Sequence, residues 1–177
     1  MIEIVLAGIV LIAAVILIVV VFYNKYQFAI IKMEEAENNI DILLQKKLDL
    51  MKSCRPIIKK SLKEDDFMIE LDALVGNQLN HFELNDALRE NYNMLFKTLD
   101  ENEKLYKNKK LVSIIENVNN NELELVAAIK FYNDNVVIYN HLIKTFPSNI
   151  IKLIFGYREK KFYKNEKREI FEILKNK

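Results

Sequence analysis

Residues Ile4–Phe22, IVLAGIVLIAAVILIVVVF, contain no charged or polar side chain. As a helix rising about 1.5 Å per residue, this run is roughly 28 Å long, close to the ~30 Å hydrocarbon thickness of a bilayer. A helix in a soluble core would normally keep a polar face. A cleavable signal peptide would want a positively charged start, an apolar stretch of about 7–15 residues and a small-x-small cleavage site. Here Glu3 precedes the run, no Lys or Arg does, and it ends in Val-Val-Val-Phe-Tyr. The expectation is an uncleaved transmembrane helix over residues 4–23, behind a short extracytoplasmic segment, 1–3.

Orientation follows from the distribution of Lys and Arg, which concentrate on the cytoplasmic side of a span. Lys25 and Lys32 follow the run closely, and every other basic residue lies beyond them. Tyr23 and Tyr26 suit the interfacial aromatic belt. The chain is therefore expected to be single-pass in the cytoplasmic (inner) membrane, N-terminus outside, with the bilayer as its first partner. Cys54 is the only cysteine, so no intrachain disulfide can form, in keeping with a reducing compartment.

Three glycines, one of them inside the anchor, and two prolines in 177 residues are too few for the turns a sheet protein needs. Met33, Ala36, Ile40, Leu44, Leu48, Met51, Cys54, Ile58 and Leu62 recur three or four apart, predicting one amphipathic helix growing out of the anchor. Lys46, Lys47 and Lys52 read as its solvated face. Pro56 predicts a kink, or a break, in it. Asp65 or Asp66 is expected to cap a second helix and Asn85 another. The pattern leaves open whether 65–100 is one helix or two. The polar stretch 100–110 reads as a loop. From Leu111 to Ile143 a spacing near 3.5, broken only at Glu122, predicts a long helix with coiled-coil-like packing. Pro147 should end it, Ser148 should cap a short helix, and Gly156 should close that one. The tail, 158–177, carries eight basic and four acidic residues and reads as a charged segment that could form a further helix, with Phe162, Ile170, Phe171 and Leu174 as apolar spots. The fold class expected is all-α: an N-terminal transmembrane helix followed by an antiparallel bundle of long helices over 24–157.

Chemistry is hard to find. His81 and His141 stand in no metal-ligand spacing, and Cys54 has no basic partner in view. No Gly-rich phosphate loop, Gly-x-Ser-x-Gly turn or His-Glu-x-x-His occurs. With 26 Lys and Arg against 25 Asp and Glu, the chain lacks the basic excess of a nucleic-acid binder. The expectation is a non-enzyme with no catalytic residue, cofactor or metal, and no nucleic-acid partner. Tyr132-Asn133 and Tyr139-Asn140 lie two helical turns apart, so both amides share a face and are placed to bond across helices and set register.

Those residues carry a resemblance. FYNDNVVIYNHLIKTFPSNIIKLIFGYREKKFY resembles the C-terminal signature of the LemA family, with Tyr132, Asn133, Tyr139, Asn140, Phe146, Pro147, Phe155, Gly156 and Phe162 as matches. Near the anchor, Tyr23 and Asn24, then Ile40, Asp41, Leu44, Asp49 and Leu50, are similar to that family's entry pattern. Lys52-Ser53 stands where the family has Pro-Asn, and Phe-Gly-Tyr where it has Phe-Gly-Phe. The resemblance implies one membrane helix and a cytoplasmic helical bundle, and supplies no reaction.

The leading functional expectation is a membrane-anchored scaffold or adaptor in the cell envelope, docking a protein partner through Phe155, Tyr157 and Phe162. The alternative is engagement of the lipid surface by 148–177, where an apolar IIKLIF meets basic flanks. The plainest reading is that Ile150, Ile151, Ile154 and Phe155 close the bundle core. Self-association into a homo-oligomer is left open.

Overall fold

The computed structural model describes residues 1–63, 67–76 and 79–163. Among them the regular structure is helical throughout: α1 (Ile2–Leu62), α2 (Glu70–Gly76), α3 (His81–Glu101), a 3-10 turn (Glu103–Lys107), α4 (Lys109–Lys144) and α5 (Asn149–Phe155). The described residues within 65–100 thus hold two helices, α2 and most of α3. The 100–110 stretch is less a loop than the end of α3, one 3-10 turn and the start of α4. Asp65 and Asp66, with Ile170, Phe171 and Leu174, lie outside the described residues.

The expected N-terminal helix is the longest element. α1 runs unbroken through Pro56 to Leu62. Its first part is long and apolar enough to cross a membrane and is not covered by the other described residues. The chain divides into two compact units, one of Met1–Glu35 with Phe131–Lys177, the other of Ala36–Lys130. α1 and α4 contribute to both.

In the central unit, Ile40, Leu44, Leu48, Met51, Cys54 and Ile58 of α1 are buried together with Leu88, Leu95 and Leu99 of α3 and Leu111, Val118 and Leu125 of α4. These are the three-and-four-spaced stripes of the sequence, and their removal from water is the main force holding the unit together. Direction can be read from side-chain pairs. Asp41 lies 3.6 Å from His81, and Lys47 reaches over the Tyr92 ring at 4.8 Å, so α3 runs in the same sense as α1. Tyr92 donates to Asn119 Oδ1 at 3.1 Å, and the 3-10 turn between α3 and α4 is short, which makes those two an antiparallel hairpin. The return stroke between α1 and α3 passes through α2, where Arg55 Nε donates to Phe67 O at 3.0 Å and Arg55 Nη1 meets Asp72 Oδ2 at 2.5 Å.

Capping corrects one sequence expectation. Asn80, not Asn85, starts α3. Its Oδ1 accepts from Phe82 N and Glu83 N, while Glu83 returns a carboxylate oxygen to Asn80 N, a complete capping box. Asn85 is buried inside the helix. The physical reason is reciprocity, since Glu83 stands three residues after Asn80 and Asn85 has Leu88 at that offset. Asn108 plays the same role before α4, accepting from Lys110 N and Leu111 N.

Candidate functional site

The terminal unit is where the sequence motifs converge. Tyr26 of α1 meets Tyr139 of α4 edge-on, ring centroids 5.6 Å apart. α4 ends at Lys144, and a cis Phe146–Pro147 bond turns the chain into α5. Ser148 does not cap α5 with its side chain. Its hydroxyl lies 2.7 Å from the carbonyls of both Leu142 and Thr145, shares its one proton between them, and so closes α4 instead. Helix C-termini leave carbonyls without partners, and this hydroxyl supplies a donor to them. The Ser148 carbonyl accepts from the Tyr26 hydroxyl at 3.2 Å. Gly156 ends α5 in the left-handed region, φ 70°, which any Cβ would strain.

After Gly156 the chain becomes an extended strap that runs back along α4. Asn140 Nδ2 donates to Lys160 O at 2.9 Å, and its Oδ1 accepts from Lys160 N at 2.9 Å. Asn133 treats Tyr163 identically, donating to its carbonyl at 3.2 Å and accepting from its N–H at 2.9 Å. Each amide therefore acts as a neighbouring strand would, satisfying both polar groups of one residue. The spacing explains itself. Seven residues of helix advance about 10.5 Å, and three extended residues advance about 10 Å. Tyr132 adds a donation to Lys161 O at 3.3 Å, and its ring meets that of Tyr163 edge-on at 5.1 Å. The two asparagines thus hold a strap, where an interhelical bond was expected. The described part of the tail, 158–163, is this strap and not the further helix that its sequence allowed.

Amides do bond between helices elsewhere: beside Asn119, which accepts from Tyr92, Asn121 donates to Leu43 O at 3.1 Å. Beside it lies a pair that sequence reasoning missed. Lys47 is 1% exposed, and its Nζ lies 2.6 Å from Glu122 Oε2. Burial lowers the Lys47 pKa, and the Glu122 carboxylate acts against that shift. The signal available was Glu122 itself, the one carboxylate inside an otherwise apolar stripe.

Tyr23 and Phe155, two more of the motif residues, belong to an aromatic cluster. Tyr23 packs on Phe155 at 5.0 Å, Tyr26 on Tyr157 at 4.9 Å, and Phe155 stacks on Tyr157 at 5.9 Å. Gln27 donates to the Tyr157 hydroxyl at 2.9 Å. Phe155 and Tyr157, two of the three residues expected to dock a partner, thus make ring contacts within the chain, yet Phe155 stays 46% exposed, as Phe162 does at 47%. Phe146 is exposed, and Pro147 belongs to the cis turn. Asn24 lines a groove between α1 and α4. Ile40 is buried in the central unit, and Asp41 faces His81 there. Of Ile150, Ile151, Ile154 and Phe155, Ile151 alone is fully buried. Among the described residues no group of three or more His, Cys, Asp or Glu is placed to hold a metal ion.

The family model described as "LemA family" matches residues 36–173, most of the chain. The chain belongs to the LemA family. No curated protein and no solved structure matches it significantly. The matched region of this LemA protein takes in both Tyr-Asn pairs, the Phe-Pro turn and the strap, and so the clamp lies within family sequence. Tyr23 and Asn24 precede the matched residues.

Proposed function

We propose that this LemA protein is a non-enzymatic, membrane-anchored helical scaffold of the cell envelope whose α5 is a foot resting in the lipid surface. Residues 4–23 span the cytoplasmic membrane with the N-terminus outside, and the helical units lie in the cytoplasm. The observation that carries the reading is the contact of Phe155 with Tyr23, the first residue after the apolar run. With residues 4–23 as the span, that contact supports a position of α5 beside the end of the anchor helix. There Leu153 is 78% exposed and Ile154 61%, with Phe146 of the preceding turn at 75%. Exposed apolar groups at the end of a span are poorly placed in water and well placed among lipid chains.

Charge supports the same placement. Lys152, Arg158, Lys160 and Lys161 flank the foot, and the one carboxylate between them, Glu159, is paired with Lys144 at 2.9 Å. Each basic residue near an anionic leaflet contributes about 1 kcal/mol. A scaffold's protein partner would then be met by surfaces other than Phe155 and Tyr157.

The test is a spin label at Leu153→Cys in a Cys54→Ala background, with the full chain in anionic vesicles. Greater accessibility to oxygen than to a water-soluble nickel chelate is expected at 153, and the reverse at Lys130→Cys. Equal, water-like accessibility at both positions would remove the foot.

A further inference from the structure

Between α1 and α4 in the terminal unit lies an open groove of about 710 Å³, within the size range of small-molecule sites. Asn24, Lys25 and Phe28 line it from α1, and Val137, Ile138 and His141 from α4. Phe28 is 62% exposed, and Val137 and Ile138 are each 53% exposed, so the floor is apolar surface that nothing in the described chain covers. The polar groups gather at one end. Asn24 and Lys25 come just after Tyr23 at the end of the apolar run, and the Lys25 ammonium lies 5.3 Å from the centre of the Phe22 ring. α4 runs against α1, with Tyr139 beside Tyr26, so His141 stands toward the Asn24 end. Phe28 stands one turn of α1 further from the run. No carboxylate is among the lining residues.

We propose that this groove seats one acyl chain of an anionic phospholipid, whose head group is held at the rim by Asn24, Lys25 and His141. The inference rests on the reading of residues 4–23 as a membrane span, which sets the rim at head-group level and the apolar floor just beyond it. A Lys ammonium and amide N–H groups are the donors a phosphate oxygen takes, and the missing carboxylates leave the rim without repulsion toward an anion. A chain lifted from the leaflet would cover Phe28, Val137 and Ile138, which water otherwise wets. A second copy fits less well. Related by a two-fold axis, it would set Lys25 against the same rim.

The chain contains no tryptophan, which makes a single introduced one a clean reporter. Full-length Phe28→Trp, and separately Val137→Trp, would be placed in phosphatidylcholine vesicles containing phosphatidylglycerol, with bromine on the acyl chains of one lipid or the other. Quenching by the brominated anionic lipid should be at least two-fold greater than by brominated phosphatidylcholine at equal mole fraction. Lys25→Gln with His141→Gln should abolish that preference. Equal quenching by both lipids would overturn the proposal, and so would shielding from both lipids and from aqueous acrylamide, as a second copy or a partner helix would produce. A further variant, Val15→Trp, separates the two readings. An indole quenched at position 15 but unselective at position 28 sinks the groove alone. An unquenched indole at position 15 sinks the span, and the groove with it.

Discussion

At the scale of single residues, Asn133 and Asn140 carry the most information per atom. Each satisfies both polar groups of one strap residue, and no neighbouring strand shares that work. Replacing Asn140 with Leu removes two bonds and leaves the Lys160 N–H and carbonyl to find water, at a cost of about 1–2 kcal/mol. Asn133→Leu should act likewise at Tyr163. The double variant should cost less than the sum, because both clamps hold one strap. Amide hydrogen exchange at Lys160 and Tyr163 checks this: unchanged protection in Asn140→Leu would show that the clamp is not what orders the strap. Cys54 gives a second expectation. Burial pushes its thiol up to about 12, so at pH 8 the thiolate is on the order of 10⁻⁴ of the population. Ellman's reagent should label the folded protein only through opening, at a rate that rises with denaturant. Tyr26 gives a third. Burial, then repulsion from Tyr139 and Tyr157, raises its phenol to about 12 from an ordinary 10. The folded state keeps a proton that the unfolded state gives up above pH 10. The stability linked to Tyr26 is therefore intact below pH 10 and lost as pH climbs toward 12, measurable as a falling Tm in that window.

At the scale of elements, the Lys47–Glu122 pair joins α1 to α4 within the central unit. Glu122→Gln would leave a buried ammonium without its counter-charge, and a loss of about 3 kcal/mol is expected, moderated because Glu122 keeps some contact with water. Lys47→Met with Glu122→Leu should recover most of that loss, since an apolar pair of similar size needs no desolvation of charge. Denaturant midpoints of the three variants decide it. A Glu122→Gln midpoint equal to the parent's would show that the Tyr92 ring, and not the carboxylate, is what holds the Lys47 ammonium. This pair also marks where sequence reading stops. Helices were legible because apolar residues recur every three or four positions, and that periodicity reports directly on a buried face. Lys47 was misread because it sits beside Lys46 in a run that looks solvated, and only α4, much later in the chain, brings Glu122 to it. Gly156 and Pro147 were legible as stops because each acts through its own backbone. The strap was not, since an extended segment held by two distant side chains leaves no period of its own. The Asn80 cap was readable in principle from Glu83 three residues on, a pairing that Asn85 lacks.

At the scale of the whole molecule, orientation decides which surface the foot and the groove can meet. No Lys or Arg stands before the apolar run in this sequence, while Lys25 and Lys32 follow it closely, and positive charge is retained on the cytoplasmic side during insertion. Anionic lipid on that side attracts basic segments. An orientation with the helical units inside therefore brings Lys25, Lys152 and Arg158 to the leaflet they complement, and the same charges would have no such partner outside. A fluorescent reporter fused after Lys177 that folds only in the cytoplasm should be bright, and alkaline phosphatase at the same point should be inactive. The converse pattern would reverse the topology while leaving the helical fold and the asparagine clamp untouched, because neither depends on the membrane's sidedness. It would also uncouple the basic flank of α5 from lipid charge. The foot would then rest on its apolar face alone, and salt would no longer alter the accessibility of a label at Leu153. Measured together, reporter activity and that salt response separate an electrostatically held foot from one held only by Leu153, Ile154 and Phe146.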